Sequence, residues 1–80
     1  MPWVYVIKSV PQPSHHYVGS TRDVRRRLIE HNAGKSPHTS KYAPWRIVLA
    51  IWLADAERAF QFERYLKSGS GRAFARRHLL

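Results

Sequence analysis

Eighty residues without a single cysteine must hold their fold together by packing alone. No disulfide can staple such a chain, and the thiolate zinc sites that support many small nucleic-acid binders are excluded with it. A chain of this size buries only a little over ~60% of the surface it exposes when unfolded, which leaves material for one core and no second. No Gly/Ser linker, low-complexity tract or internal repeat interrupts it, so residues 1–80 are expected to form one domain.

Local pattern supplies the elements of that core. Trp3 to Lys8 is β-branched and aromatic and reads as a strand; Ser9 to Ser14 carries two prolines and reads as a loop. His16 to Gly19 is a short return strand, giving an antiparallel hairpin. Ser20 and Thr21 are candidate N-caps, Asp23 suits a first helical turn, and a helix through Ala33 is ended by Gly34. Lys35 to Pro44 has the composition of a basic loop long enough to touch a ligand. Arg46 to Leu53 is apolar without alternation, the pattern of a strand covered on both faces. Asp55 caps a second helix through Ser68, Gly69 closes it, and Ser70 starts a last short helix. The order predicts a small mixed α/β layer with helices packed on the sheet.

Charge narrows the partners. Fourteen Lys and Arg face five Asp and Glu, a formal charge of +9 with histidine neutral. Such a surface attracts polyanions, and phosphate neutralisation with counterion release supplies affinity that does not depend on base sequence. The longest apolar run, Ile47 to Ala54, is far too short to cross a bilayer, and Trp3 to Ile7 resembles a strand more than a signal sequence. The arginines are spread over several segments, which argues against a membrane-surface helix. A nucleic-acid partner, no membrane and a cytoplasmic location are the expectations.

A helical wheel exposes polar residues in apolar company. On the second helix Ala56, Ala59, Phe60, Phe62 and Leu66 form an apolar arc, and Glu63 falls inside it. An ionised carboxylate there costs several kcal/mol, roughly, unless something pairs with it. An i,i+4 pair with Lys67 accounts for Glu63 as well as a functional site does. On the first helix Val24 and Leu28 mark the inward stripe, His31 lies between them and Arg27 beside it. Taken singly, His31 reads as a bonded core histidine and Tyr5 as core packing. Trp52 reads as core rather than as a stacking platform for bases, and His15 and His16 point to opposite faces and cannot easily share a metal.

Several of these residues fall in one pattern. Trp3-Val4-Tyr5 and Tyr17-Val18-Gly19 are followed by Thr21-Arg22-Asp23-Val24-Arg25-Arg26-Arg27, then His31-Asn32, Lys41-Tyr42, Pro44-Trp45 and Glu63-Arg64-Tyr65-Leu66-Lys67. In order and spacing the chain resembles the GIY-YIG nuclease domain in its small stand-alone form, with Trp3 where the first glycine stands and valines for the isoleucines. The resemblance implies a three-stranded antiparallel sheet flanked by α-helices and a metal-dependent endonuclease acting on DNA or a related nucleic acid, with repair or recombination intermediates as substrates. It places Tyr5, Tyr17, Gly19, Arg27, His31 and Glu63 in the active site, and counts Gly19, His38, Lys41, Lys67, Arg72 and Arg76 toward substrate binding.

Phosphodiester hydrolysis needs an in-line water, charge relief at the phosphorus and a stabilised leaving group. Within that resemblance Glu63 would hold one Mg²⁺ or Mn²⁺, and a single carboxylate implies weak binding without substrate. Arg27 offers a permanently charged donor fork to phosphate oxygens. Either Tyr17 or His31 takes the proton from water, and Tyr5 orients phosphate or water. A basic binding module of the same fold that does not cut is the alternative, and a protein partner or a second copy would supply specificity.

Overall fold

The computed structural model describes residues 3–80. Three strands, β1 (Trp3–Ser9), β2 (His16–Thr21) and β3 (Trp45–Trp52), alternate with helices α1 (Val24–Asn32), α2 (Ala56–Lys67) and α3 (Gly69–His78) in the order β1-β2-α1-β3-α2-α3. The sheet is antiparallel throughout, with β1 between β2 and β3. The fold class expected from sequence, an α/β layer with three antiparallel strands, is the one observed.

The central position of β1 explains its unbroken apolar run. Its side chains alternate between two apolar clusters, one on each face of the sheet, so the expectation of material for only one core is corrected. Val4 and Val6 pack with Ala59, Leu66 and Ala75 of α2 and α3. Tyr5 and Ile7 point to the opposite side and pack with Trp45, flanked by Tyr17, Val24 and Leu28. The molecule is thus α1, sheet, then α2 with α3.

The strand covered on both faces is therefore β1, and the expectation that β3 would be so covered is corrected. β3 is an edge strand in which Arg46, Ala50 and Trp52 are exposed, because helices cover only its other positions. Trp52 is 55% exposed rather than core. Phe60, assigned to the apolar arc of α2, is 56% exposed, and Ala56 also faces solvent.

Helix ends follow capping chemistry, with one shift. Ser20 and Thr21 still belong to β2, paired with Val4 and Trp3, so the cap of α1 is Asp23, whose carboxylate accepts the Arg26 amide at 3.0 Å. Gly34 follows α1 with φ of 76°, the left-handed conformation its lack of Cβ permits. Asp55 caps α2 as expected. Ser68 does two jobs: its amide bonds the Tyr65 carbonyl at the end of α2, and its hydroxyl accepts the Gly71 amide at the start of α3. α3 therefore begins at Gly69, one residue before the Ser70 start read from sequence. At Gly71 a Cβ would collide with the Tyr65 carbonyl, so its absence lets α3 fold back tightly on α2.

Loop 35–44 is organised rather than open. Ser40–Tyr42 form one 3-10 turn, and Asn32 bonds both the amide and the carbonyl of Trp45, fixing where β3 departs.

Candidate active site

The site grows from the Tyr5–Gly19 pair of the β1–β2 ladder. A Cβ on Gly19 would lie 2.5 Å from the Tyr5 hydroxyl oxygen, so the glycine makes room for the phenol. Tyr5 is 1% exposed and its hydroxyl lies 2.8 Å from Nε2 of His31, one turn beyond Arg27 on the inward face of α1. The other ring nitrogen, Nδ1, lies 2.7 Å from the Thr39 hydroxyl. His31 and Thr39 are both fully buried, so the imidazole is held at both nitrogens out of reach of water.

Tyr17 stands over this buried pair. Its ring meets His31 edge-on at a centroid distance of 5.1 Å and Tyr5 at 6.5 Å. Unlike them it is partly exposed. Because β2 is an edge strand, side chains from both faces of the sheet can meet around it, and Lys67 of α2 reaches within 6.0 Å of the Tyr17 ring.

Glu63 occupies that edge. Its side chain is only 16% exposed; Oε1 accepts the Ser20 hydroxyl at 2.8 Å and Oε2 accepts Lys67 at 2.9 Å. The Lys67 pair is the one that helical spacing suggested. Ser20 is an addition, and it draws the carboxylate from α2 against β2. Arg27, one-third exposed, donates to Glu30 at 2.9 Å.

The electrostatics follow from this packing. Burial pushes the Tyr5 phenol up to about 12, and nearby Tyr17 adds to the shift while Arg27 opposes it. Tyr5 is thus a hydroxyl at any physiological pH. Burial, then the Arg27 charge, lowers His31 below the usual histidine value and favours the neutral ring. The bond to Glu30 is the main reason Arg27 is raised, and the same bond holds Glu30 below the usual carboxylate range.

Five residues expected from sequence thus form one neighbourhood: Tyr5, Tyr17 and His31 by ring contact, Arg27 by its field at Tyr5, and Glu63 through Lys67 and its own field at Tyr5. Lys67, Arg72 and Arg76 border a groove of about 720 Å³ that has Tyr17 on its wall and an apolar floor that includes Val6, Val18 and Leu66. Gly19 is buried against Tyr5. Lys41 lies 5.9 Å from the ring centroid of Tyr42, which stacks on His15 at the groove. His38 is exposed in the loop after α1 and makes no side-chain hydrogen bond among the described residues.

Among the described residues no three His, Cys, Asp or Glu side chains converge as a ready-made metal cage. A hard oxygen donor with lone pairs to spare does exist at Glu63, and an ammonium already occupies a cation position beside it. That donor set fits one oxygen-loving divalent cation that keeps most of its water.

Residues 1–77 match the model of the GIY-YIG catalytic domain. The chain belongs to the GIY-YIG family. Among its relatives, the structure-specific endonuclease subunit SLX1 of Scheffersomyces stipitis is 40% identical over 67 residues, covering 75% of this chain and 20% of that protein. SLX1 of Candida dubliniensis is 36% identical over 83 residues, covering 95% of this chain and 28% of that protein. The UPF0213 protein of Streptococcus pneumoniae is 35% identical over 66 residues, covering 81% and 65%. The chain thus spans about a quarter of the SLX1 proteins and under two-thirds of the UPF0213 protein. No solved structure gives a significant match.

Three residues of this GIY-YIG site escaped the sequence reading. Glu30 carried a signal, since an acid three residues after Arg27 shares its helix face. Ser20 looked like a helix cap, and its partner Glu63 is 43 residues away. Thr39 looked like a loop residue, and nothing local marks it as the partner of His31.

Proposed function

We propose that this GIY-YIG chain is a metal-dependent endonuclease that hydrolyses phosphodiester bonds in DNA, with Mg²⁺ or Mn²⁺ held at Glu63. The observation that carries the reading is a mostly buried carboxylate, held by Ser20 and by the Lys67 that reaches the Tyr17 ring, in a chain of charge +9. A module that only binds DNA gains nothing from a carboxylate facing its phosphate path, because repulsion weakens affinity. The relatives' description as structure-specific endonuclease subunits supports selectivity for the shape of the substrate, as in repair or recombination intermediates, and a protein partner or second copy as its source.

The side chains divide the work by exposure. Lys67, Arg72 and Arg76 draw the phosphate backbone along the groove, and Arg27 offers its fork to the scissile phosphate once Glu30 releases or shares it. Tyr17 is the partly exposed tyrosine of the pair, so it positions the nucleophile or takes its proton. Tyr5 and His31, buried behind it, hold Tyr17 and orient the site. When bound, the cation would supply charge neutralisation at the phosphate and acidify water.

The test is cleavage of single-stranded, duplex, nicked and branched DNA with Mg²⁺ or Mn²⁺, beside Glu63→Gln and Arg27→Ala. Each variant is expected to lose roughly 10²–10³ in rate, the usual effect of removing one electrostatic stabiliser. A wild type that binds the panel in a salt-sensitive way and cuts none of it would refute the enzyme reading.

A further inference from the structure

A path for phosphates alone needs cations and no hollow. The groove beside Tyr17 has both, for Lys67, Arg72 and Arg76 border it while buried Val6, Leu66 and Ala75 close its bottom. Val18, half-buried, and Leu80, exposed, present apolar surface in its walls. Among the described residues no Asp or Glu lines it. Phosphate oxygens sunk into such a hollow would lose water and gain no donor, so the charged part of a ligand stays with the cations at the border. At about 720 Å³ the groove is in the size range of sites that enclose a small organic group. It fits an anionic chain that carries a flat, weakly polar body.

Two links tie the groove to the candidate active site. Lys67 at its border donates to Glu63 at 2.9 Å and lies 6.0 Å from the Tyr17 ring. His16, Val18 and Ser20 share one face of β2, because alternate residues of a strand point the same way, and Ser20 bonds Glu63 at 2.8 Å. Val18 is therefore two residues, about 7 Å, from the residue that anchors the carboxylate. A strand with one phosphate at Glu63 has its neighbouring nucleotide over the groove. In a duplex that nucleotide's base is paired and stacked inward, and only an unpaired base can turn away from the strand.

We propose that this groove is a pocket for one unpaired nucleobase beside the phosphate bound at the site, with the sugar-phosphate strand held by Lys67, Arg72 and Arg76. The proposal rests on the nuclease reading and deepens it, since it names the substrate as a strand with an unpaired nucleotide next to the scissile phosphate. Val18 and Leu80 offer no side-chain donor or acceptor, so the pocket takes any base and reads pairing state rather than sequence. His15 adds a stacking platform. Its ring lies on Tyr42 with centroids 4.0 Å apart and planes 18° apart, which leaves its second face as the π surface it can offer a base in the groove it lines. A second copy of this chain, itself at +9, would set its own cations against these three.

The experiment compares three DNA probes of equal length: a single strand with all its bases, the same strand made of abasic tetrahydrofuran nucleotides, and a full duplex. Affinity against salt and the methyl resonances of Val18 and Leu80 are read for each. The abasic strand keeps every phosphate, so the salt slope should match that of the strand with bases, while affinity falls at least about fivefold, the low end for one stacked base. The strand with bases should shift both sets of methyl resonances, and the abasic strand and the duplex should leave them in place. His15→Ala and Val18→Thr should each at least halve the affinity ratio of the two single strands at an unchanged salt slope; His15→Ala, at a loop edge, carries this test if Val18→Thr does not fold. Equal affinities with unmoved methyl resonances overturn the proposal and leave the groove to an acidic protein segment. Methyl resonances that move as far with the abasic strand, or a wild-type ratio in the folded variants, overturn it as well. A wild type that prefers the strand with bases and cuts no DNA refutes the nuclease reading instead and leaves the pocket standing.

Discussion

Gly19→Ala is the smallest change that strikes the centre of the site. The backbone does not resist it, since Gly19 lies in a regular strand and does not have a positive φ. Alanine at such a position would ordinarily stabilise by ~0.4–1 kcal/mol through the unfolded chain. The added methyl, however, falls 2.5 Å from the Tyr5 oxygen, 2.7 Å from Cζ and 3.0 Å from Cε1. A flexible surface side chain would swing away; Tyr5 cannot, being buried on a central strand and tied to His31. Overpacking of that kind costs ~1–3 kcal/mol. Displacing the ring also breaks the bond to His31, worth a further ~0.5–1.5 kcal/mol.

The collision therefore wins, with a net loss of about 1–3 kcal/mol and a fall in Tm of roughly 5–20 °C for a chain of this size. Thermal and urea unfolding followed by circular dichroism measure it, and cleavage at a temperature where both proteins are folded separates the effect on the site. Adding Tyr5→Phe gives a second reading. It removes the 2.5 Å contact but not the ring carbons, and both changes break the same bond, so the two costs should sum to less than additive. A Gly19→Ala protein whose Tm stays within about 2 °C of wild type would show that Tyr5 is free to move and that the site is not built on this contact.

The other expectations concern charge. His31 is lowered below its unfolded value of 6.5, so the unfolded chain binds the extra proton and stability falls as pH drops below about 6.5, by up to ~1.4 kcal/mol per pH unit. His31→Gln should flatten that slope in pH-dependent unfolding more than His16→Gln, because His16, also lowered by desolvation and by Lys8, is exposed. At the alkaline end Tyr5 is raised from 10.0 to about 12, so the folded chain keeps its proton longer and stability declines as pH rises above about 10; Tyr5→Phe should remove that decline. For DNA binding, Arg72→Ala and Arg76→Ala should each reduce the slope of log K against log salt by about 0.9 if each meets one phosphate, whereas an unchanged slope would take that residue off the backbone path. Lys67→Met should tighten Mn²⁺ binding while weakening DNA, because the ammonium competes for Glu63; paramagnetic broadening that is weaker than in wild type would contradict this.

Sequence carried the element order, the Gly34 and Asp55 boundaries and the inward placement of Arg27, His31 and Glu63, because caps and helical periodicity are local. It misassigned burial in the strands. Trp3–Lys8 and Arg46–Leu53 are equally apolar, and only pairing decides that β1 is central and β3 an edge, which leaves Trp52 outside. Ser20 and Thr39 were illegible for a related reason. Each is a small hydroxyl residue whose meaning comes from a partner brought near by the fold, Glu63 around the sheet edge and His31 across a loop. The motif resemblance picked out residues that the fold brings into one neighbourhood; it carried no information on which of them touch water.

That distinction shapes the chemistry open to the site. Two charged side chains of the site already have counter-charges in the free protein: Glu63 holds Lys67, and Arg27 holds Glu30. If Glu63 holds a cation as proposed, a phosphate that drew off Lys67 would free one oxygen of Glu63 for it, and the two ligands would by reciprocity raise each other's affinity by the same factor. The buried chain from Thr39 through His31 to Tyr5 carries no net charge in its neutral state and takes no part in that exchange. It holds the Tyr5 oxygen 2.8 Å from the His31 ring.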